Sequence, residues 1–173
     1  MNPAALAAPL LAASALVGAT PPPPPVLTYA FTLNVKIGPG IEAGEAGGGR
    51  KRIVPITGGT VEGRLKAQIL PGGADWQTVR PDGTTEVWAR YNLQPDGGGP
   101  AIVLTNSGVR RASPEVSARL AAGELVDASQ YYFRTSPVFE TGSVDHAWLT
   151  STVFVCVGER RPEDVLVTCY EVG

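Results

Sequence analysis

Beyond residue 25, apolar and polar side chains alternate along most of the chain. In the run 26–37 (VLTYAFTLNVKI), Leu27, Tyr29, Phe31, Leu33, Val35 and Ile37 fall on one face, the period of a half-buried strand. Further strand patterns cover 53–62, 65–70, 75–80, 84–93, 101–106, 131–140, 148–157 and 165–172. Pro81-Asp82-Gly83 and the segment 94–100 (QPDGGGP) are turns, because Pro fixes φ and Gly supplies a positive one. The glycine-rich segment 38–49 lacks the Lys-Ser/Thr ending of a phosphate loop and reads as a plain or mobile loop. Pro137 interrupts its strand pattern, which predicts a bulge or an unpaired edge there. The last two patterns form a hairpin around 159–164.

Two glycine pairs, Gly58-Gly59 and Gly72-Gly73, punctuate the stretch 53–77. Inside strand patterns such pairs mark turns, bulges or close backbone approach. One helix is predicted. Ser113 is a good N-cap, Pro114 suits the first helical position, Glu115 complements the helix dipole, Val116, Leu120 and Ala121 give an apolar stripe, and Gly123 ends it. About nine strands, short turns and no βαβ alternation define an all-β fold with antiparallel pairing. Closure removes exposed sheet edges, so the expected architecture is a single antiparallel β-barrel of about nine strands with one short helix.

Composition adds limits. A chain of 173 residues, 43% hydrophobic and 17% charged, suits one folded domain. A net charge of -2 excludes the usual basic surplus of a nucleic-acid binder. The one basic run, Arg50-Lys51-Arg52, reads as a solvated loop. Residues 1–19 are apolar, rich in Ala and Leu, and end in Val17-Gly18-Ala19, which resembles a secretory signal cleaved after Ala19. Against this, no Lys or Arg precedes the apolar run, and Pro9 interrupts it. The expectation is export, periplasmic or secreted; the alternative is a cytoplasmic protein that keeps its leader. The run is short for a bilayer span. Pro21 to Pro25 form a stiff spacer. The chain therefore divides into a leader with spacer, 1–25, and a barrel domain, 26–173.

Metal and redox centres find no support: His146 is the only histidine, Cys156 and Cys169 are the only cysteines, and no cluster has ligand spacing. No cofactor or metal is expected. The two cysteines lie near opposite positions on the final hairpin. They form either a cross-strand disulfide in an exported protein or two small buried apolar residues.

Six blocks in order carry a resemblance: RIVPITGGT at 52–60 with Glu62-Gly63, LPGGADWQ at 70–77, Ala89-Arg90-Tyr91, YYFRT at 131–135, Phe139-Glu140-Thr141-Gly142, and Trp148-Leu149. Over about 26–172 the chain resembles the uncharacterised family called domain of unknown function 3237. The resemblance implies a small antiparallel barrel, similar in outline to barrels that bind or cyclise small organic molecules, and no agreed activity. The chain departs from the family pattern in its leader, and in Thr150-Ser151, where an Asn usually follows the Trp-Leu pair.

Polar groups embedded in apolar strands form the candidate constellation. Asp75, Glu140 and Tyr132 are the candidate acid-base residues. Trp76, Arg90, Tyr91, Arg134 and Trp148 are the candidate substrate-binding residues. An Arg would orient a carbonyl or carboxylate, a Tyr (Tyr91 or Tyr132) would donate to an enolate, and the Trp rings would exclude water. The plainer reading is a structural ion pair between Arg90 or Arg134 and Asp75 or Glu140. The expected function is a pocket for a small organic ligand, as a cofactor-independent lyase, isomerase or cyclase. The alternatives are a binding module without turnover and a structural barrel that assembles as a homo-oligomer.

Overall fold

In the computed structural model, which describes residues 21–173, strand β3 (Gly49–Gly63) carries two neighbours end to end on each side. On one side lie β1 (Leu27–Ile37) and β2 (Ile41–Ala46). On the other lie β4 (Ala67–Ile69) and β5 (Gly73–Val79). Both β4 and β5 pair with β6 (Thr85–Pro95). Antiparallel pairing then runs through β7 (Ile102–Arg111), β8 (Tyr132–Glu140), β9 (Phe154–Arg160) and β10 (Asp164–Val172) back to β1. The β1–β3 ladder shuts the ring. Because β4 and β5 share one position and β2 only continues the β1 position beside β3, the closed barrel has eight strands and two extra ones. The apolar leader expected over 1–19 lies outside the described residues. No helix among the described residues is long and apolar enough to cross a membrane.

Two expected elements are corrected. The loop over 38–49 contains β2, paired to the start of β3. Every residue of β2 is exposed, so it has no buried face and no apolar alternation to show. What specifies it is charge: Glu42 lies opposite Arg52 and takes an ion pair from Arg50. The strand expected from Trp148 starts at Phe154 instead. Ala147–Thr150 form a 3-10 turn, and the Thr152 hydroxyl donates to the Trp148 carbonyl at 2.8 Å. Hydroxyl side chains at 150–152 thus take up the carbonyls of Ala147 and Trp148 in place of a ladder. Pro137 sits beyond the last β8–β9 pairs, Arg134 with Val157 and Thr135 with Cys156, so one side of β8 is unpaired there. The neighbouring Ser136 hydroxyl donates to the Phe154 carbonyl in place of the ladder.

One half of the barrel is solid. Phe31, Phe139 and Phe154 meet edge to face or tilted, and Leu33, Leu65, Leu93, Leu104 and Leu149 fill around them. Cys156 and Cys169 lie directly opposite on β9 and β10, are bonded as a disulfide, and are buried in this core. At the other end, helix α1 (Pro114–Ala121) packs Val116 and Leu120, with Val126, against Val87, Tyr131 and Phe133. Its N-cap is as expected: Ser113 Oγ accepts from the Val116 N–H at 3.2 Å.

Gly59 shows what the first glycine pair is for. It has φ 132°, and a Cβ there would lie 1.9 Å from the Asn34 carbonyl oxygen of β1. Next to it the β1–β3 register shifts between Lys36 and Ile37. Closing the ring thus brings two backbones to a distance that only glycine permits. Replacing Gly59 with Ala should cost about 3 kcal/mol or more in urea unfolding, from strain plus overpacking. Gly98→Ala, with positive φ but open space, should cost about 1–2 kcal/mol.

Candidate functional site

The other half of the barrel is hollow. A cavity of about 660 Å³ opens between the loop Gly38-Pro39-Gly40 and the turn at Pro162 and Glu163. Its size falls within the roughly 300–1,000 Å³ usual for small-molecule sites. The parity of each strand builds its walls. β3 turns Arg52, Val54 and Ile56 inward, β5 Asp75 and Gln77, and β6 Val87, Ala89 and Tyr91. β7 adds Asn106 and Arg110, β8 adds Phe133 and Thr135, and Arg160 ends β9 at the mouth.

Asp75 is the one carboxylate on a cavity-facing strand position among these. Gln77 Nε2 donates to its Oδ2 at 2.6 Å, and the Trp88 backbone N–H donates to its Oδ1 at 2.9 Å. Burial pushes its carboxyl above the ordinary carboxylate range; these hydrogen bonds and the charges of Arg110 and Arg52 pull it only part of the way back. The Tyr91 phenol is raised by burial and by the nearby Asp75 charge, so it stays protonated. Burial lowers both Arg110 and Arg160. The adjacent Arg160 charge lowers Arg110 further, while Arg52 does the same to Arg160.

The cations are unequally compensated. Lys36 at the rim is neutralised by Asp164 at 2.8 Å. Arg52 Nε lies 3.4 Å from Glu42 Oε1 but off the hydrogen-bond direction, and Glu42 is shared with Arg50. Gly40 is needed there, since a Cβ would sit 2.3 Å from Arg52 Nε. Arg110 and Arg160 have no carboxylate within 4.0 Å among the described residues. Two further wall groups, Asn106 Oδ1 and Thr135 Oγ1, are buried without any hydrogen-bond partner in the protein. Buried polar groups without a partner are costly.

Of the residues singled out from the sequence, the structure brings Asp75 and Tyr91 to this cavity. It does not bring the others. Trp76 is 44% exposed on the outer face, 5.4 Å from the ring of Trp88. Arg90 and Glu140 form an ion pair at 3.2 Å outside the barrel. Tyr132 and Arg134 are also exposed, the guanidinium 5.1 Å from the phenol ring. Trp148 packs on Phe31 and Phe154 in the solid half, with the Arg64 guanidinium 3.9 Å over its ring. The physical reason is the two-residue period. Asp75 and Trp76 are adjacent, as are Arg90 and Tyr91, so one of each pair must face out. Arg52, Gln77, Asn106, Arg110, Thr135 and Arg160 were not singled out. Most of them share strand parity with buried apolar neighbours, Val54 for Arg52, Leu104 for Asn106 and Phe133 for Thr135, and that phase was the available signal.

Comparison with known proteins agrees with this barrel. A family model described as "Protein of unknown function (DUF3237)" matches residues 25–172. A UPF0311 protein of Clostridium acetobutylicum is 43% identical over 126 residues, 72% of this chain and 79% of the relative. A UPF0311 protein of Rhodopseudomonas palustris is 39% identical over 145 residues, covering 83% and 94%. A crystal structure from Rhodopseudomonas palustris, of a conserved protein of unknown function, superposes with a TM-score of 0.82 at 37% identity, over 87% of this chain and 99% of that one. A beta-barrel like protein from Acinetobacter baumannii gives 0.77 at 39% identity, over 90% and 100%. An enzyme from Penicillium herquei shares the fold, with a TM-score of 0.67 at 21% identity, over 90% and 99%.

The raised Asp75 carboxyl has a sign that stability can report. Its protonated form favours the fold below the unfolded value near 3.8, and that contribution is lost as pH rises through the higher folded value. Asp75→Asn should therefore melt higher than the parent at pH 7, and the gap should close as pH falls towards 3.8. Paired thermal melts between pH 3 and 8 measure it, and other carboxylates cancel in the difference.

Proposed function

The chain belongs to the DUF3237 family of proteins of unknown function, and from that premise we propose that its hollow half-barrel binds a small carbonyl compound and moves a proton on it. The observation that carries the reading is the pairing of Asp75 with Tyr91 on the wall of one cavity. A carboxylate made more basic by burial is suited to take a proton from a carbon beside a carbonyl. The electron pair left behind moves onto the carbonyl oxygen, and the protonated Tyr91 hydroxyl donates a hydrogen bond to it. The proton then returns from Asp75 to the same carbon, or to a conjugated one in an isomerisation. Lyases and cyclases of this kind share that first step, and none of it draws on a bound cofactor. Val54, Ile56, Val87 and Phe133 supply apolar wall for the ligand body. The same reading includes export from the cytoplasm, which the buried Cys156–Cys169 bridge supports, since such bonds persist in oxidising compartments.

Proton transfer is visible without knowing the natural substrate. In deuterated water, the protein should speed exchange of carbon-bound protons in some members of a panel of 1,3-diketones and 2-oxo acids, followed by NMR. Asp75→Asn should slow that exchange by about 100-fold or more, and Tyr91→Phe by about 10-fold. Ligands that bind in the cavity without any exchange would leave a binding barrel with no turnover.

A further inference from the structure

Four cations line the cavity, Lys36, Arg52, Arg110 and Arg160, against two carboxylates, Asp75 on its strand and Glu163 in the turn at the mouth. Arg52, Arg110 and Arg160 line the same cavity as Asp75, and Arg110 and Arg160 have no carboxylate within 4.0 Å among the described residues. Arg160 has only a long contact, 3.4 Å, from its Nη1 to the Asp164 backbone carbonyl. Arg110 lies 5.9 Å from the Phe133 ring centre, a modest compensation for a cation taken out of bulk water. A structural arginine inside a barrel is expected to be paired, because a buried cation without a partner is destabilising. Two unpaired ones, on β7 and β9, leave a gap in the charge pattern that a ligand of opposite sign closes.

We propose that the ligand of this cavity is an organic carboxylate, its charge met by Arg110 and Arg160 and its body held against the apolar walls between them and Asp75. This rests on the reading of the cavity as a ligand site and narrows its ligand class. Three features favour a carboxylate on an organic body over inorganic phosphate. The planar guanidinium fork matches the two oxygens of a carboxylate. The volume of about 660 Å³ far exceeds what a lone anion fills. The remaining wall mixes apolar side chains with polar ones, among which Asn106 Oδ1, an acceptor, and the Thr135 hydroxyl, a donor or acceptor, have no partner in the protein, so a hydroxyl or enol on the same ligand finds partners there. The arginines also keep Asp75 usable beside a second carboxylate, because their charge offsets the repulsion between the two acids.

The test uses matched pairs: 2-oxo and aryl carboxylic acids of about four to ten carbons, each with its methyl ester, and inorganic phosphate alone as a separate arm. Binding to the full chain is measured by calorimetry and by amide shifts at Asn106 and Thr135. The acids should bind at least 10-fold tighter than their esters and should weaken with added salt. Arg110→Gln and Arg160→Gln should each erase most of that preference, while Arg119→Gln on the surface of α1 should leave it intact. Arg110→Gln should not lower the melting temperature without ligand, since no carboxylate pairs with it; if it does unfold the chain, Arg160→Gln carries the comparison. Esters that bind as tightly as acids would overturn the anion assignment and leave the ligand site standing. Phosphate binding as well as the acids would overturn the organic part of it. No shift at Asn106 or Thr135 with any acid or ester would overturn the ligand site itself.

Discussion

Everything in this molecule follows from the closure of one sheet upon itself through the β1–β3 ladder. A closed ring has an inside and an outside, and each strand must distribute its side chains between them by turns. The 15-residue strand β3 is the hinge of that arrangement, because it holds two neighbours in succession on both sides. Closure draws backbones together at Gly59, where the Asn34 carbonyl leaves no room for a side chain. Interior volume is then divided unequally. Phenylalanines and leucines fill one end, while smaller and polar residues leave the other end open.

The hollow end is maintained by elements that do not belong to the ring. Helix α1 lays Val116 and Leu120 onto Val87 and Phe133, which also line the cavity. On the other side the loop at Gly38–Gly40 crosses over Arg52, which lies 3.4 Å from Glu42 on the exposed strand β2. The cavity therefore lies between an apolar cover and a charged one. The interior acid shares the cavity with Arg110 and Arg160, neither of which has a carboxylate within 4.0 Å among the described residues.

Much of the architecture could be read from the chain itself. The period-two runs gave the strand positions, the turn residues gave the connections, and Ser113-Pro114-Glu115 marked the helix start. Strand β2 escaped because it buries nothing, so its ion pairs with β3 left no hydrophobic trace. The site was legible only in part. Asp75 and Tyr91 stood out as polar groups within apolar runs, but Trp76, Arg90, Tyr132, Arg134 and Glu140 stood out for the same reason and face solvent. Phase separates the two groups: Asn106 keeps step with Leu104, and Thr135 with Phe133, whereas Arg134 and Glu140 fall out of step with those buried neighbours. The emptiness of one end could not be read at all, since it depends on the summed volumes of side chains from eight strands.

Trp88 spans the wall of the barrel in a single residue. Its amide holds the interior carboxylate of Asp75 at 2.9 Å, while its indole lies outside against Trp76. The charge of that carboxylate is therefore bonded to the backbone of a residue whose side chain belongs to the outer surface. One peptide group thus joins an exposed pair of indoles to the carboxylate inside the barrel.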